Sequence, residues 1–401
     1  MIKSFLRSLE HPKHPLLGPN ICVLVSSGML QYSEGIIKYF INSIHLFASL
    51  FILTQFYDLW LNRADVEKSL RDLSYVILSV NGSVKTWAFI LCQKYWKDIL
   101  ESVSSIELSQ LSKRDRKATM IIRQYTDYAR KFTYFYWTLV TATVSVVVLA
   151  PFVSYFLSSK FRQDLSDGTV TYPEILSSWT PFDKTSGFGL IIYITTDVLI
   201  CIIGGAVIAS YDTTSIVLLI FFAGQLKLLK ANCARIFGED CAITPTEIYT
   251  NLRDCHRHHV FLVKYAKILN SLLSPVLFFY VITCSLMICA SAVQFTMDTI
   301  SLMHKLWVAE YLVALISQLF FYCWHGNYVV FKSEQVCQGI YESAWWQHCV
   351  PSRKSILLLG GQLRKRIVFT AGPFATLTIP TFITVMKGAY SYYTLLSKKE
   401  K

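Results

Sequence analysis

Seven long apolar stretches constrain this chain more than any other feature. They fall at roughly 36–56, 73–92, 132–158, 188–226, 268–297, 306–331 and 367–397. A helix needs about 20 mostly apolar residues to cross a hydrocarbon core about 30 Å thick. Backbone inside lipid must satisfy its own hydrogen bonds, so a single stretch of this kind can only be a helix. The pattern predicts an all-α, multi-pass membrane protein with seven spans. At 53% hydrophobic and 16% charged, the chain is too apolar for an ordinary soluble domain.

Lysine and arginine then orient it. Twenty-six of the 38 lie in the N-terminal segment and in loops two, four and six, counting Lys38 at the edge of the first stretch with that segment. Ten lie in loops one, three and five and the tail, and Lys85 and Lys387 lie within spans. Basic loops stay in the cytoplasm. The N-terminus is therefore expected inside and the C-terminus outside, inverted relative to a G-protein-coupled receptor. The net charge of +12 reads as topogenic charge beside an anionic inner leaflet, and no nucleic-acid partner is expected. Cysteines give the same orientation. None of the eleven sits in an outer loop on this topology, as free thiols in a reducing cytosol would require. Residues 1–20 are polar, so no cleavable signal is expected.

Several stretches are irregular. The second contains Asn81-Gly82-Ser83 and then Lys85, which is expected to snorkel toward the inner face. Loop three is long and polar enough to fold over the outer mouth as a lid. The fourth stretch has 39 residues, ~58 Å as one helix. Its inner half is expected to project into the cytoplasm, carrying Asp212 to or below the inner interface. The fifth continues without a strong break from the charged segment 247–267. Long fourth and fifth helices, with a further helix over 351–366, predict a cytoplasmic anchor bundle. The last stretch is split by Ala371-Gly372-Pro373 and Ile379-Pro380, between a basic half helix containing Arg364–Arg366 and a short, hydroxyl-rich final helix. That helix is expected to face protein or water. Glu310 and His325 are expected to be solvated at the two ends of the sixth span. Asp197 has two readings, a contact to a polar ligand or a partner on another helix. Gly204-Gly205 with Ala209 predicts close helix contact. The cluster Cys255–His259 spreads around a helix axis, so no metal site is expected, and no cofactor motif or catalytic constellation is found.

Three segments carry a resemblance. The stretch 380–396 (PTFITVMKGAYSYYTLL), Gln318–Asn327 with Ser333-Glu334 and Ala344-Trp345-Trp346, and Tyr211–Thr214 with Gly224-Gln225-Leu226 resemble the insect odorant receptor family. The region 389–399 lacks the terminal signature of the related gustatory receptors, and loop four is too short for the obligate co-receptor. The chain therefore looks like a ligand-tuning subunit. The resemblance implies a ligand-gated, non-selective cation channel, a heterotetramer with the shared odorant co-receptor, in the plasma membrane of sensory neuron dendrites. It implies a volatile ligand in the outer half of the bundle and a pore lined by the last helix. The gate would fall near Leu395 together with Leu396, with Thr394 and Lys398 nearby. A dewetting constriction of that kind opens on small rotations.

The topology supplies pocket candidates: Leu73, Ile77, Val80, Val147, Pro151, Ser154, Tyr193, Thr196, Ile200, Leu286, Val293 and Trp307. The expected regions are an N-terminal cytoplasmic segment (1–35), helices one to four with the pocket (36–230), helices five and six with the anchor region (231–366), and the split last helix with its tail (367–401). A gustatory-type channel and a G-protein-coupled chemoreceptor are the alternatives. The second would need an outer-loop disulfide and Asp-Arg-Tyr and Asn-Pro-x-x-Tyr motifs, which are absent.

Overall fold

The computed structural model describes residues 11, 13–32, 35–157, 175–182, 187–238, 244–296 and 302–397. Among them the chain forms α1 (Gly18–Ser26), α2 (Ile36–Leu61), α3 (Val66–Leu91), α4 (Gln93–Ser112), α5 (Arg116–Leu157), α6 (Gly187–Ala234), α7 (Pro245–Thr296), α8 (Leu302–Tyr341), α9 (Val350–Leu363) and α10 (Ile379–Ser397). A small antiparallel hairpin, β1 (Thr370–Ala371) and β2 (Ala375–Thr376), precedes α10. The seven apolar stretches fall in α2, α3, α5, α6, α7, α8 and the hairpin with α10. By length and composition α2, α5, α6 and α7 can each cross a membrane, and α3 with α4 forms a span-capable pair bent by 76°.

Local chemistry sets the helix ends. Asp65 caps α3 by accepting from the Lys68 N–H at 3.1 Å. Thr244 and Glu247 form a reciprocal capping box at the start of α7 (3.3 and 3.0 Å), with Pro245 in the first turn. Loop two, read as a basic loop, is instead the helix α4 followed by the first turns of α5. The last stretch is broken by the hairpin, and α9 ends at Leu363, so Arg364–Arg366 follow that helix instead of lying within it.

The bundle has two unlike ends. At the end carrying α1, α4 and α9, called basal below, loops two, four and six converge. Arg235 pairs with Asp115 at 2.9 Å and Lys230 with Glu342 at 3.3 Å across them. One continuous apolar core fills this end, and it includes Leu16 and Leu17 from the N-terminal segment, both essentially inaccessible. Leu24, Met29 and Leu30 join the same core. The centre of the bundle is α6, buried on every side from Ala209 to Leu226 and packed by α1, α3, α5, α7 and α8. Its lack of a polar face follows from that burial. Residue Asp212 therefore lies in the interior, not at an aqueous interface as the sequence suggested. The hairpin docks on α7 one turn before Pro275: the Thr370 N–H donates to Asn270 Oδ1 (2.7 Å) and the Gly372 N–H to Ser274 Oγ (2.9 Å). At the other extreme, α2 packs along α3 and presents Ile36, Tyr39, Phe40, Phe47 and Trp60 outward, the surface expected of a lipid-facing helix.

Candidate ligand cavity

A cavity of about 180 Å³ lies among α2, α3, α5, α6 and α8, toward the end opposite the basal core. Its walls are mostly apolar, with Ile52, Leu78, Val140, Val144, Ile203 and Leu315 among them. Glycines make the room. A Cβ on Gly82 or Gly204 would meet no atom within 4 Å, whereas one on Gly205 would strike Val144 Cγ2 at 2.6 Å. Gly204 thus opens onto empty space while Gly205 lets α6 approach α5 closely, as the small-residue spacing predicted.

The floor is polar and built around Asp212. Its carboxylate accepts from Lys85 Nζ (2.7 and 3.0 Å), the Tyr136 hydroxyl (2.8 Å), the Tyr322 hydroxyl (2.7 Å) and Gln318 Nε2 (2.5 Å). Lys85 is 2% and Asp212 0% exposed, so the ion pair is fully interior. Lys85 does not snorkel: the carboxylate holds it in place, with the Tyr280 ring 5.2 Å from its ammonium. Two of the four donors, Tyr136 and Gln318, also line the cavity. A charge left unpaired here would be very costly, whereas this one is neutralised and hydrogen-bonded on both oxygens. The floor therefore offers a hydrogen-bonding surface with its charges already matched, which suits a neutral guest.

Hydroxyl groups continue up the walls. Ser49 and Ser83 share a hydrogen bond at 2.8 Å, Trp87 Nε1 donates to Ser49 at 2.9 Å, and the Thr143 hydroxyl donates to Glu310 at 2.6 Å. That bond takes Glu310 out of the solvated role expected for it. His325 is likewise buried, packed edge-on against the Phe132 ring. At the distal end the cavity is lined by Leu176, from the described part of loop three. There the Leu176 N–H donates to Asp197 (3.1 Å), Tyr193 donates to the Leu176 carbonyl (2.5 Å), and the Trp179 N–H donates to the Thr54 carbonyl (3.3 Å). Of the two readings of Asp197, the internal partner is the one observed, although it is loop backbone and not another helix.

Of the expected pocket residues, Val147 and Ile200 line the cavity. Tyr193 anchors its cap, and Ile77 packs instead against the cluster of Tyr280, Leu315 and Ala389. Leu73, Val80 and Thr196 are half-buried away from it, and Leu286 is 59% exposed on the outside of α7. The side chains of Pro151, Ser154, Val293, Trp307, Leu395 and Leu396, and all of Lys398, lie outside the described residues. Thr394 is half-buried and donates to the Ser391 carbonyl at 2.9 Å. The sequence reading missed Tyr136, Gln318, Ser49, Gly82 and Gly204. The break at Asn81-Gly82-Ser83 was the available signal for a widened helix interface.

A second buried polar chain lies in the basal core. Tyr125 donates to Glu107 at 2.6 Å, Gln225 donates to Tyr125 and to Gln110 (3.2 and 2.8 Å), and His258 contacts Gln225 at 2.8 Å. Burial pushes the Glu107 carboxyl up to about 7 and holds the His258 imidazole down to about 4, so His258 is neutral. The Cys255–His259 cluster is thus tied into packing.

The sequence profile of the 7tm odorant receptor family matches residues 65–390. Over 349 residues the chain is 23% identical to odorant receptor Or2 of Anopheles gambiae, spanning 86% of this chain and 88% of that receptor. It is 25% identical over 189 residues to odorant receptor 22c of Drosophila melanogaster, spanning 44% and 46%. The fold is similar to that of the insect olfactory receptor OR5 from Machilis hrabei in complex with eugenol. The TM-score is 0.79 at 16% identity, covering 95% of this chain and 97% of that one.

Proposed function

Because the chain belongs to the 7tm odorant receptor family, we propose that it is the odorant-sensing subunit of a ligand-gated, non-selective cation channel. It belongs to a membrane receptor family, not to an enzyme family. The volatile ligand occupies the cavity between α2, α3, α5, α6 and α8, and α10 lines the pore, gated near Leu395. The shared odorant co-receptor completes a heterotetramer in the plasma membrane of sensory neuron dendrites.

The single observation that carries this reading is the cavity itself, mostly apolar in its walls and closed at its floor by a charge-matched hydrogen-bonding network. Such a site suits a small, neutral, mostly apolar molecule with one polar group. Eugenol, held by the similar receptor, has that character and is a natural first probe. Convergence of the basic loops at the basal end supports a cytoplasmic anchor bundle there, with the cavity in the outer half. The pore role of α10 draws support from its exposed Thr384, Lys387 and Ser391, which would be unfavourable against lipid.

The direct test is whole-cell current from cells expressing the chain with and without an insect odorant co-receptor, under a volatile panel with G-protein signalling blocked. Fast inward cation current that needs both chains and survives the block is the expected result. Current abolished by the block would replace the channel with a metabotropic receptor.

A further inference from the structure

Toward the basal end three lysines share one groove. Lys227 and Lys230 of α6 and Lys332 of α8 line a hollow of about 320 Å³, with Ile121 of α5 and Leu226 of α6 as its apolar floor. Gly339 brings the two lysine-bearing helices together. A Cβ there would strike the Lys230 carbonyl, so the missing side chain is what lets α8 approach α6. Each ammonium has a neutral amide as a partner: Lys227 donates to Gln124 (3.1 Å), Lys230 to Gln338 (3.0 Å) and Lys332 to Gln335 (3.3 Å). Among the described residues that line the groove Glu342 is the one acid, and it pairs with Lys230 at 3.3 Å. Three lysines against one carboxylate leave an excess of two positive charges.

Neighbouring side chains fix the height of this groove along the bundle. Tyr128 of α5 meets His325 of α8 at 3.2 Å. About two helical turns further toward the basal end, on the same two helices, stand Ile121 and Lys332. On the distal side of the groove Tyr128, Trp324, Tyr328 and Phe331 are all exposed. The rings of Tyr328 and Phe331 lie 5.2 and 5.3 Å from the Lys332 ammonium. Exposed aromatic side chains gather at membrane–water interfaces. The apolar stretch of α8 ends at the same level, immediately before Lys332. Cations below and apolar surface above are what a phospholipid headgroup meets.

We propose that this groove binds the headgroup of an inner-leaflet phospholipid that carries a phosphomonoester. Its placement in the inner leaflet rests on the reading of the basal end as cytoplasmic. A phosphomonoester bears a charge of about −1.5 to −2 at neutral pH, which matches the excess on the groove. Its three oxygens can accept from several ammonium groups at once. The aromatic band favours a lipid over a free phosphate, because acyl chains continue onto the exposed rings above. Binding relieves the repulsion among the lysines and ties α5, α6 and α8 together at the membrane surface.

The test titrates the full-length receptor, purified in detergent, with dioctanoyl phosphatidylinositol 4,5-bisphosphate and reads the bound fraction by native mass spectrometry. Lys227→Gln, an exposed change that removes one cation, is expected to weaken binding about fivefold, the strength of one basic residue at an anionic lipid surface. Lys227→Gln/Lys230→Gln/Lys332→Gln should weaken it about a hundredfold. The matched control, Lys264→Gln/Lys267→Gln/Lys365→Gln, removes as many charges from a different basic groove, between α7 and α9, and should leave the affinity unchanged. Equal losses in the two triple variants would reduce the effect to net charge and overturn the site. Equal affinity for dioctanoyl phosphatidylserine would overturn the phosphomonoester. Displacement of the lipid by an equal concentration of inositol 1,4,5-trisphosphate would make a soluble phosphate the ligand. Orientation is read separately from Cys349, exposed at the start of α9, which should react with an impermeant maleimide only in permeabilised cells. Reaction on intact cells would overturn the inner-leaflet placement and leave the measured affinity standing.

Discussion

Asp212 is the residue on which the interior depends most. Lys85→Met leaves its carboxylate buried without a cation and should cost about 3–5 kcal/mol. Lys85→Met/Asp212→Asn keeps an acceptor for Tyr136 and Tyr322 without a net charge, so it should recover most of that loss. Melting temperatures in detergent at one pH would show whether the double variant lies above the single one. Glu107 makes a pH-dependent prediction. Its carboxyl is held up to about 7 in the fold, against 4.5 for a free side chain. Below 4.5 both states are protonated and burial costs nothing. As pH rises from 4.5 to 7 the unfolded chain ionises first, so stability falls, and above 7 the loss is complete. Glu107→Gln abolishes that loss and should gain on the parent by about 3 kcal/mol between pH 4.5 and pH 8. Parallel denaturation curves at the two pH values would contradict this. Neither residue's role was legible in the sequence. Lys85 and Asp212 are 127 positions apart, and hydropathy sees each as an isolated charge. Only the rotation of α3 and α6 brings them together.

Elements were far more legible than contacts. Hydropathy located the seven apolar stretches but not the polar α4, and Gly372-Pro373 marked the break before α10, because length and apolarity are local properties. It could not show that the break is a hairpin, because the partners that hold it, Asn270 and Ser274, lie on α7 about 100 residues earlier. Gly372 is a sharp test of that docking. Its φ is +68°, and a Cβ would lie 2.5 Å from Phe278. Gly372→Ala should therefore cost at least about 1–2 kcal/mol from the left-handed backbone alone. Thermal unfolding measures the loss, and faster hydrogen exchange at the start of α10 would place it at the hairpin. The pocket candidates fared unevenly for a related reason. Position along each helix could be read from the sequence, but the face of each helix turned inward could not. Val147 and Ile200 face the cavity, whereas Leu286 faces away.

At the scale of the molecule, a densely packed basal core supports a looser distal half that holds the cavity. Tyr311, Leu315 and Gln318 of α8 face that cavity, and Tyr311 and Leu315 share an apolar cluster with Ala389 of α10. Gln318 also accepts from Tyr280 of α7 at 3.0 Å. Occupancy of the cavity is thereby in mechanical contact with the proposed pore helix, through side chains that already touch. Filling the cavity without a ligand tests this arrangement. Val144 lines the cavity, so Val144→Trp narrows it and excludes a guest. The deciding measurement is the concentration dependence of volatile-evoked current for the unmodified chain and for Val144→Trp, each co-expressed with the co-receptor at matched surface level. Loss of the evoked current at every concentration in the filled variant is the expected result. An unchanged half-maximal concentration and amplitude would place the ligand elsewhere and contradict the cavity as the receptor's sensing site.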